Sequence, residues 1–452
     1  MFWLSTRSHN DLFLLYAFAD LGRPARELRA LVRDRAAGVP DLRVRVREVP
    51  GDLAYPALAP CDFSDEQFVE HPAPGDWAGL RAAVGGLLGT GVDATVSPWR
   101  VHVFRGVTGA PMCRTPGEPT TVAVLQISHA LVDGRRAAEV ARQLFAAATE
   151  SGTAAATAPG AQPPPRPVPG SRRDRAAAVL GALLLPVSIA RTIRRGLRAN
   201  RARAELAAAT AAGEIPPPGP GFAPVAVNDP AAPPVGAHAV EMLVFDSADL
   251  RVPGHTVTVV VLTAVSVALP EYLAAAGSPV TALGAQVPMA LPGGGKGNAR
   301  NNYRNLSIDL FLDEPALRAR ADRIAAALRA RAERARHPLM AAQDRVTAVT
   351  PALFLRRDAD SWPLDLVPDS IAGNTVVSSV DRGPADLDFG GPVRFTAGFP
   401  AIGSVMRLTH GVHGLGPTVT VSLHTDPGVL TDLDGYAAAL RAAVAEVVAA
   451  LC

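Results

Sequence analysis

Two runs of this chain are too rich in proline to be regular secondary structure. PGAQPPPRPVPG starts at Pro159 and IPPPGPGFAPVAVNDPAAPP at Ile215. Each proline fixes φ and removes an amide donor, so neither run is a helix or a central strand. They divide the 452 residues into an N-terminal lobe over 1–155, linkers with a basic helical insert over 156–237, and a C-terminal lobe over 238–452. With 48% apolar residues, both lobes have material for a core of their own. No repeat of solenoid length is present.

Charge narrows the partners. The formal net charge is only +2, so no global basic field points to nucleic acid, and a small molecule or lipid is the expected partner. Cys61, Cys113 and Cys452 lie far apart without a CxxC pair, which argues against a metal knuckle or a disulfide framework and fits a reducing cytoplasm. In MFWLSTRSHNDLFLLYAF no basic stretch precedes the apolar part, and His9, Asn10 and Asp11 interrupt it, so no export signal is expected. The longest apolar run, Ala176 to Ala190, contains Pro186 and is shorter than the roughly 20 residues of a membrane-spanning helix, so no span is expected. The same insert, 172–203, follows its apolar stretch with Arg191, Arg194, Arg195, Arg198, Arg201 and Arg203. That order suits an interfacial helix on anionic lipid, at a membrane surface or a lipid droplet; a helix packed across both lobes with a solvated basic end is the alternative.

Patterning gives the fold class. TVAVLQIS, ending at Ser128, is a short apolar run suited to a strand covered on both faces. After it, Ala137, Val140, Ala141, Leu144 and Phe145 recur at helical spacing, predicting a helix with one buried face. In the second lobe HTVTVVVLTAVSVAL, NLSIDLF, NTVVSSV and TVTVSLHT look like strands or buried segments, and they alternate with the helical patterns ALRARADRIAAALRARAERA and YAAALRAAVAEVVAALC. This is α/β layering.

Between the first strand and its helix lies SHALVDG, Ser128 to Gly134. It puts the His129 imidazole at the end of a buried strand and the Asp133 carboxylate where a helix begins. Histidine has the intrinsic pKa for removing a hydroxyl proton near neutral pH, as acyl transfer from a thioester to an alcohol requires. Asp133 suits a fixed loop, capping the helix or pairing with an arginine, and Gly134 suits a tight turn. Without further context a lone histidine here is ordinarily structural. His102, His410, His413 and His424 could line a channel, but scattered histidines are more often satisfied core or surface residues, and they receive no role. The loop from Gly293 to Asn298 holds Lys296 but lacks the GxxxxGK[ST] spacing, and no GxSxG elbow or metal-ligand cluster appears.

SHALVDG resembles the His-His-any-three-Asp-Gly signature of the CoA-dependent acyltransferase and condensation superfamily, especially its bacterial wax ester synthase/diacylglycerol acyltransferase branch. DLRVRVREVPG, FVEHPAPGDWAGLRAAVGGLLGTGVD and SPWRVHVFRGV are similar to that branch's first lobe in order and spacing. QVPMAL, VVSSVDRGP, LDFGG and SLHTDPGVLTDLDGYAAAL are similar to segments further on. Ser128 stands for the first histidine of the pair, Ser379 for the asparagine of the second-lobe motif, and Pro292 where an arginine is usual.

The resemblance implies two chloramphenicol-acetyltransferase-like lobes with a tunnel between them. Acyl-CoA, a co-substrate and not a bound cofactor, would enter one face and a hydrophobic alcohol the other, meeting at the general base His129. It also implies transfer of a long-chain acyl group to a fatty alcohol or diacylglycerol, with no metal required. Ser128, Asp133 and Gly134 would support the site, and a donor near Ser378 or Ser379 would stabilise the oxyanion. Two rivals stand beside this reading: a condensation-type acyltransferase using a carrier-protein thioester and a specialised acceptor, and a lipid-binding relative without activity.

Overall fold

The structure is a computed structural model describing residues 2–8, 10–115, 117–147, 172–229, 231–232, 235–291 and 302–452. The loop around Lys296, with Pro292, and the first proline run lie outside these residues.

Two sheets organise the chain. The first has the strand order Val393–Gly398, Leu12–Ala19, Thr120–Ile127, Trp99–Val107, Phe68–Glu70. All eight residues of Thr120–Ile127 are buried, as its unbroken apolar run requires of a central strand. The helices Ala25–Ala37 and Gly134–Leu144 pack with one face around Tyr16, Phe18, Phe145 and Phe389, whose rings lie 5.2–6.3 Å apart. The other face carries Trp77–Leu88, whose Leu80 and Val84 meet Phe395 and, from the second lobe, Val240 and Met242. A methyl group on Gly85 would run into the His238 carbonyl, so glycine is what lets this helix touch the second lobe's first strand.

The second sheet has the order Ala239–Asp246, Thr418–Thr425, Leu408–Leu415, Thr375–Asp381, Gly284–Ala290, Tyr303–Asp309. Val257–Ala275, Leu317–Arg336 and Leu433–Leu451 cover it and share one core. The strand Val393–Gly398 comes from the C-terminal half of the chain yet pairs with Leu12–Ala19 in the first sheet, so this strand crosses the sequence boundary at 238. The architecture is α/β with two lobes.

HTVTVVVLTAVSVAL, whose pattern suits a strand or a buried segment, is a helix, Val257–Ala275. Its β-branched residues favour a strand, but 19 residues exceed the usual strand length, and Thr256 accepts a hydrogen bond from the Val259 amide at 3.4 Å to cap the helix. Being apolar all round, it shows no face in sequence.

The insert is one continuous helix, Arg172–Ala211. By length and composition it and Val257–Ala275 are long and apolar enough to cross a membrane. The length of Ala176 to Ala190 therefore does not exclude a span, because the helix runs on past both ends. The helix instead lies along the molecule. Gly181 abuts the Leu53 backbone, Thr192 donates to the Val349 carbonyl at 3.1 Å, and Arg195 donates to the Arg345 carbonyl at 2.9 Å.

Candidate active site

A cleft of about 550 Å³ opens between the two sheets. One wall comes from the first lobe: Asn10 to Leu14, His129, Asp133 and Gly134. The other comes from the second sheet and its connections: Pro288, Tyr303, Ser378, Ser379, Arg382, Phe399 and His413 among them. The structure thus brings His129, Asp133, Gly134, Ser378 and Ser379 to one cavity.

The first wall is built locally. The Thr120–Ile127 strand ends, and Ser128 turns the chain. Its amide donates to the Pro98 carbonyl at 2.9 Å, its Oγ accepts from the Ala130 amide at 3.3 Å, and its carbonyl accepts from Leu131 at 3.0 Å. Ser128 is buried, so a short hydroxyl closes the turn that sets His129 in the cleft. His129 is half-buried, with its ring centre 6.0 Å from that of Tyr303 across the cleft. Asp133 caps the helix Gly134–Leu144: its Oδ1 accepts from the Arg136 amide at 2.9 Å, and its Oδ2 faces the Asn302 amide at 3.4 Å. Capping and cross-lobe contact thus fall to one carboxylate. Burial, helped by the charge of Asp133, raises the Tyr303 pKa above the ordinary phenol value. Tyr303 stays a neutral hydroxyl across the cleft from His129.

Gly134 departs from its expected role in a tight turn. Its φ is not positive, and a Cβ there would meet nothing within 4 Å. What its missing side chain leaves is open space in the cleft.

On the second wall, Ser378 and Ser379 follow one another on the strand Thr375–Asp381, so their side chains start out on opposite faces. Val377 and Val412, on the Ser379 face, belong to the second-lobe core. Val376, Ser378 and Val380 share the other face with Gly411 and His413, and that face looks into the cleft. Alternation thus puts Ser378, and not Ser379, on the face shared with His413.

Sequence reasoning gave three cleft residues no role. Asp11 entered only as an interruption of an apolar stretch; its buried Oδ2 accepts from the Val92 amide at 2.8 Å and from Gln126 Nε2 at 2.9 Å. A carboxylate heading an otherwise apolar strand was the available signal. Arg382 and His413 are both buried in the cleft wall. Burial, offset in part by the Tyr16 hydroxyl alongside, lowers the Arg382 pKa, and burial together with the Arg382 charge holds His413 well below the ordinary imidazole value. No sequence pattern marks either residue.

The other histidines serve the scaffold. His102 bonds His71 at 3.0 Å and Gln126 at 2.9 Å, His410 bonds Thr375 at 3.0 Å and Tyr436 at 2.8 Å, and His424 bonds His238 at 2.8 Å and the Pro400 carbonyl at 2.9 Å. Among the described residues no group of three or more histidine, cysteine, aspartate or glutamate side chains could hold a metal ion.

Residues 12–230, which carry the whole His129 wall, match the family model of the wax ester synthase/diacylglycerol acyltransferase catalytic domain. That stretch belongs to this family, and the chain is an acyltransferase. The wax ester synthase/diacylglycerol acyltransferase from Marinobacter aquaeolei VT8 superposes with a TM-score of 0.59 at 17% identity, covering 98% of this chain and 96% of its own. The first condensation domain of the CDA synthetase gives 0.55 at 16% identity, covering 98% and 91%. A variant of the starter condensation domain of rhizomide synthetase, in complex with C8-CoA and Leu-SNAC, gives 0.54 at 13%, covering 99% and 92%. At these identities the likeness is one of fold, the two-lobed architecture that these structures share. Comparison with curated protein sequences finds no match.

Proposed function

We propose that this acyltransferase moves a long-chain acyl group from acyl-CoA to the hydroxyl of a fatty alcohol or diacylglycerol, with His129 as general base. The observation that carries the reading is the placement of His129, on the family-matched strand and turn, in a cleft between two lobes. The alcohol proton passes to the imidazole, the oxygen attacks the thioester carbonyl, the C–S bond breaks, and the proton is returned to the CoA thiolate. Ester and free CoA are the products. Ser378 is the side chain best placed to donate to the tetrahedral oxyanion, and Asp133 holds the turn and its helix. The C8-CoA complex of a condensation domain supports acyl-CoA as donor; the second reading keeps the same base and cleft with a carrier-protein thioester as donor and a specialised acceptor.

The helix Arg172–Ala211 favours work at a lipid surface. Val179, Leu183, Ile193 and Leu197 are all exposed, and six arginines crowd the stretch from Arg191 to Arg203. Apolar side chains beside cations suit peripheral attachment to anionic lipid, at the inner face of a membrane or a lipid droplet, with the body in the cytoplasm. Purified protein should float with anionic liposomes at low salt; indifference to them removes this part of the proposal.

The decisive experiment follows free thiol release from palmitoyl-CoA with hexadecanol or dioleoylglycerol, in wild type and His129→Ala. Acceptor-dependent release that the substitution abolishes is the expected result. Release only from an acyl-carrier donor selects the second reading, and no turnover on either donor leaves a lipid-binding relative.

A further inference from the structure

Chemistry at His129 leaves the deep end of the cleft unused. There Arg382 and His413 are 4% and 5% exposed. Arg382 Nη1 donates to Thr396 Oγ1 and, at 2.9 Å, to the Ala397 carbonyl, and its guanidinium carbon lies 5.3 Å from the centre of the Tyr16 ring. Its Nε is buried without a hydrogen-bond partner, as is Nδ1 of His413. Among the described residues no carboxylate forms an ion pair with this guanidinium. Asp381, next in the chain, turns its Oδ1 to the Gly383 amide at 2.9 Å. On the opposite wall, Asp11 accepts from Val92 and Gln126, and Asp133 accepts from Arg136.

A guanidinium does not shed its proton at ordinary pH, and an uncompensated buried cation costs several kcal/mol. Such a group is completed by an anion from outside the chain. Gly398 lets the two side chains converge: a methyl group there would stand 2.5 Å from Arg382 Nη2 and 2.8 Å from His413 Cε1. The spot also lies at a different level of the first sheet from His129. Gly398 pairs with Leu14, and Leu14 with Leu125, four residues before His129. At about 3.3 Å per residue this puts the Gly398 level of the sheet roughly 13 Å along the chain direction from the His129 backbone.

We infer that the Arg382–His413 end of the cleft binds a carboxylate carried by the substrate at the end remote from the group that reacts. A planar guanidinium beside an imidazole matches a carboxylate's two oxygens. The carboxylate has two sources: an acceptor that is a hydroxylated fatty acid, or a donor that is the mono-CoA thioester of a long dicarboxylic acid. The inference rests on the acyl-transfer reading for its reaction but not for its binding. With either source the ester C–O bond forms, the thioester C–S bond breaks, the hydroxyl proton ends on the CoA thiol, and the remote carboxylate is unchanged.

Calorimetric binding of dodecanoate and of dodecanol, with wild type and Arg382→Met, tests it without turnover. Wild type should hold dodecanoate about tenfold or more tighter than dodecanol, and Arg382→Met should bind the two alike. Equal binding by wild type, or a preference that survives the substitution, overturns the inference. Methionine of similar reach leaves no partner charge stranded, so the variant should fold; if it does not, the wild-type comparison still decides. The source follows from kcat/KM for ω-hydroxydodecanoate against dodecanol as acceptor, and for a dicarboxylic mono-CoA thioester against palmitoyl-CoA as donor. A preference in either arm supports the site, and none in both overturns it. Carboxylate preference in a protein that transfers no acyl group sinks the acyl-transfer reading alone.

Discussion

The two walls of the cleft are built in different ways. The first is largely local: strand, turn, His129, cap and helix follow one another within 120–144, and hydrogen bonds between residues two to three apart close the turn and cap the helix. The second is assembled from distance. Tyr16, Arg382, Thr396, Gly398 and His413 meet only because Val393–Gly398 joins the first sheet while Leu408–Leu415 joins the second. A wall made of one short segment carries its chemistry as a motif, whereas a wall made of strands remote in sequence leaves none to find.

If the first wall holds the chemistry, His129→Ala should lower kcat by about 10² to 10⁴ with little change in Tm, since the ring is half-buried and spans no core. A large fall in Tm with activity per folded molecule intact would show instead that the histidine is part of the scaffold.

Within the second wall, Ser378→Ala should cost on the order of 10² in kcat, near the low end for an oxyanion donor, and Ser379→Ala much less, because alternation puts Ser378 on the face of His413 and Ser379 on the face of the core residues Val377 and Val412, although both touch the cleft. Equal losses would mean that the strand twists enough to offer both hydroxyls, and no loss from either would move the oxyanion donor to a backbone amide.

Acid should separate the walls. Burial holds His410 down to about 4 and His424 to about 3, against an ordinary 6.5, and both sit on the second sheet's central strands with His413. The unfolded chain takes up these protons first, so folded stability is whole above pH 6.5 and is lost as pH falls from there towards 4. The first sheet carries His102, held down to about 4. Hydrogen exchange at about pH 5 against about pH 7 should therefore show the amides of 408–425 losing protection before those of 120–127. Loss in the reverse order would place the acid-labile core in the first lobe.

The sequence was legible wherever the physics is local. The buried strand before Ser128, the helix face from Ala137 to Phe145 and the Asp133 cap follow from residue order alone, and all three are present. Val257–Ala275 was not legible as a helix, because a helix buried on all sides has no polar face to give a period. Arg172–Ala211 is its counterpart: in their apolar windows the insert is 6% buried and the core helix 61%. Composition cannot tell these two apart, since burial depends on what packs against each. Arg382 and His413 were illegible for the same reason, being defined by neighbours that only the sheet order supplies.

Gly134 is the place where the local reading itself is in question, and it carries the smallest expected effect. A glycine needed for a tight turn would be strained as alanine, yet this φ is not positive and a methyl group on its Cα would have no atom within 4 Å. Gly134→Ala should leave Tm unchanged or raise it slightly, since alanine is favoured over glycine in a helix by up to about 1 kcal/mol. Its methyl group would instead project into the cleft beside His129, so KM for a bulky acceptor should rise a few-fold with kcat nearly unaltered. A drop in Tm would restore the turn as the reason for glycine. An unchanged KM would mean that the acceptor passes along the other wall, past Ser378 and towards Arg382.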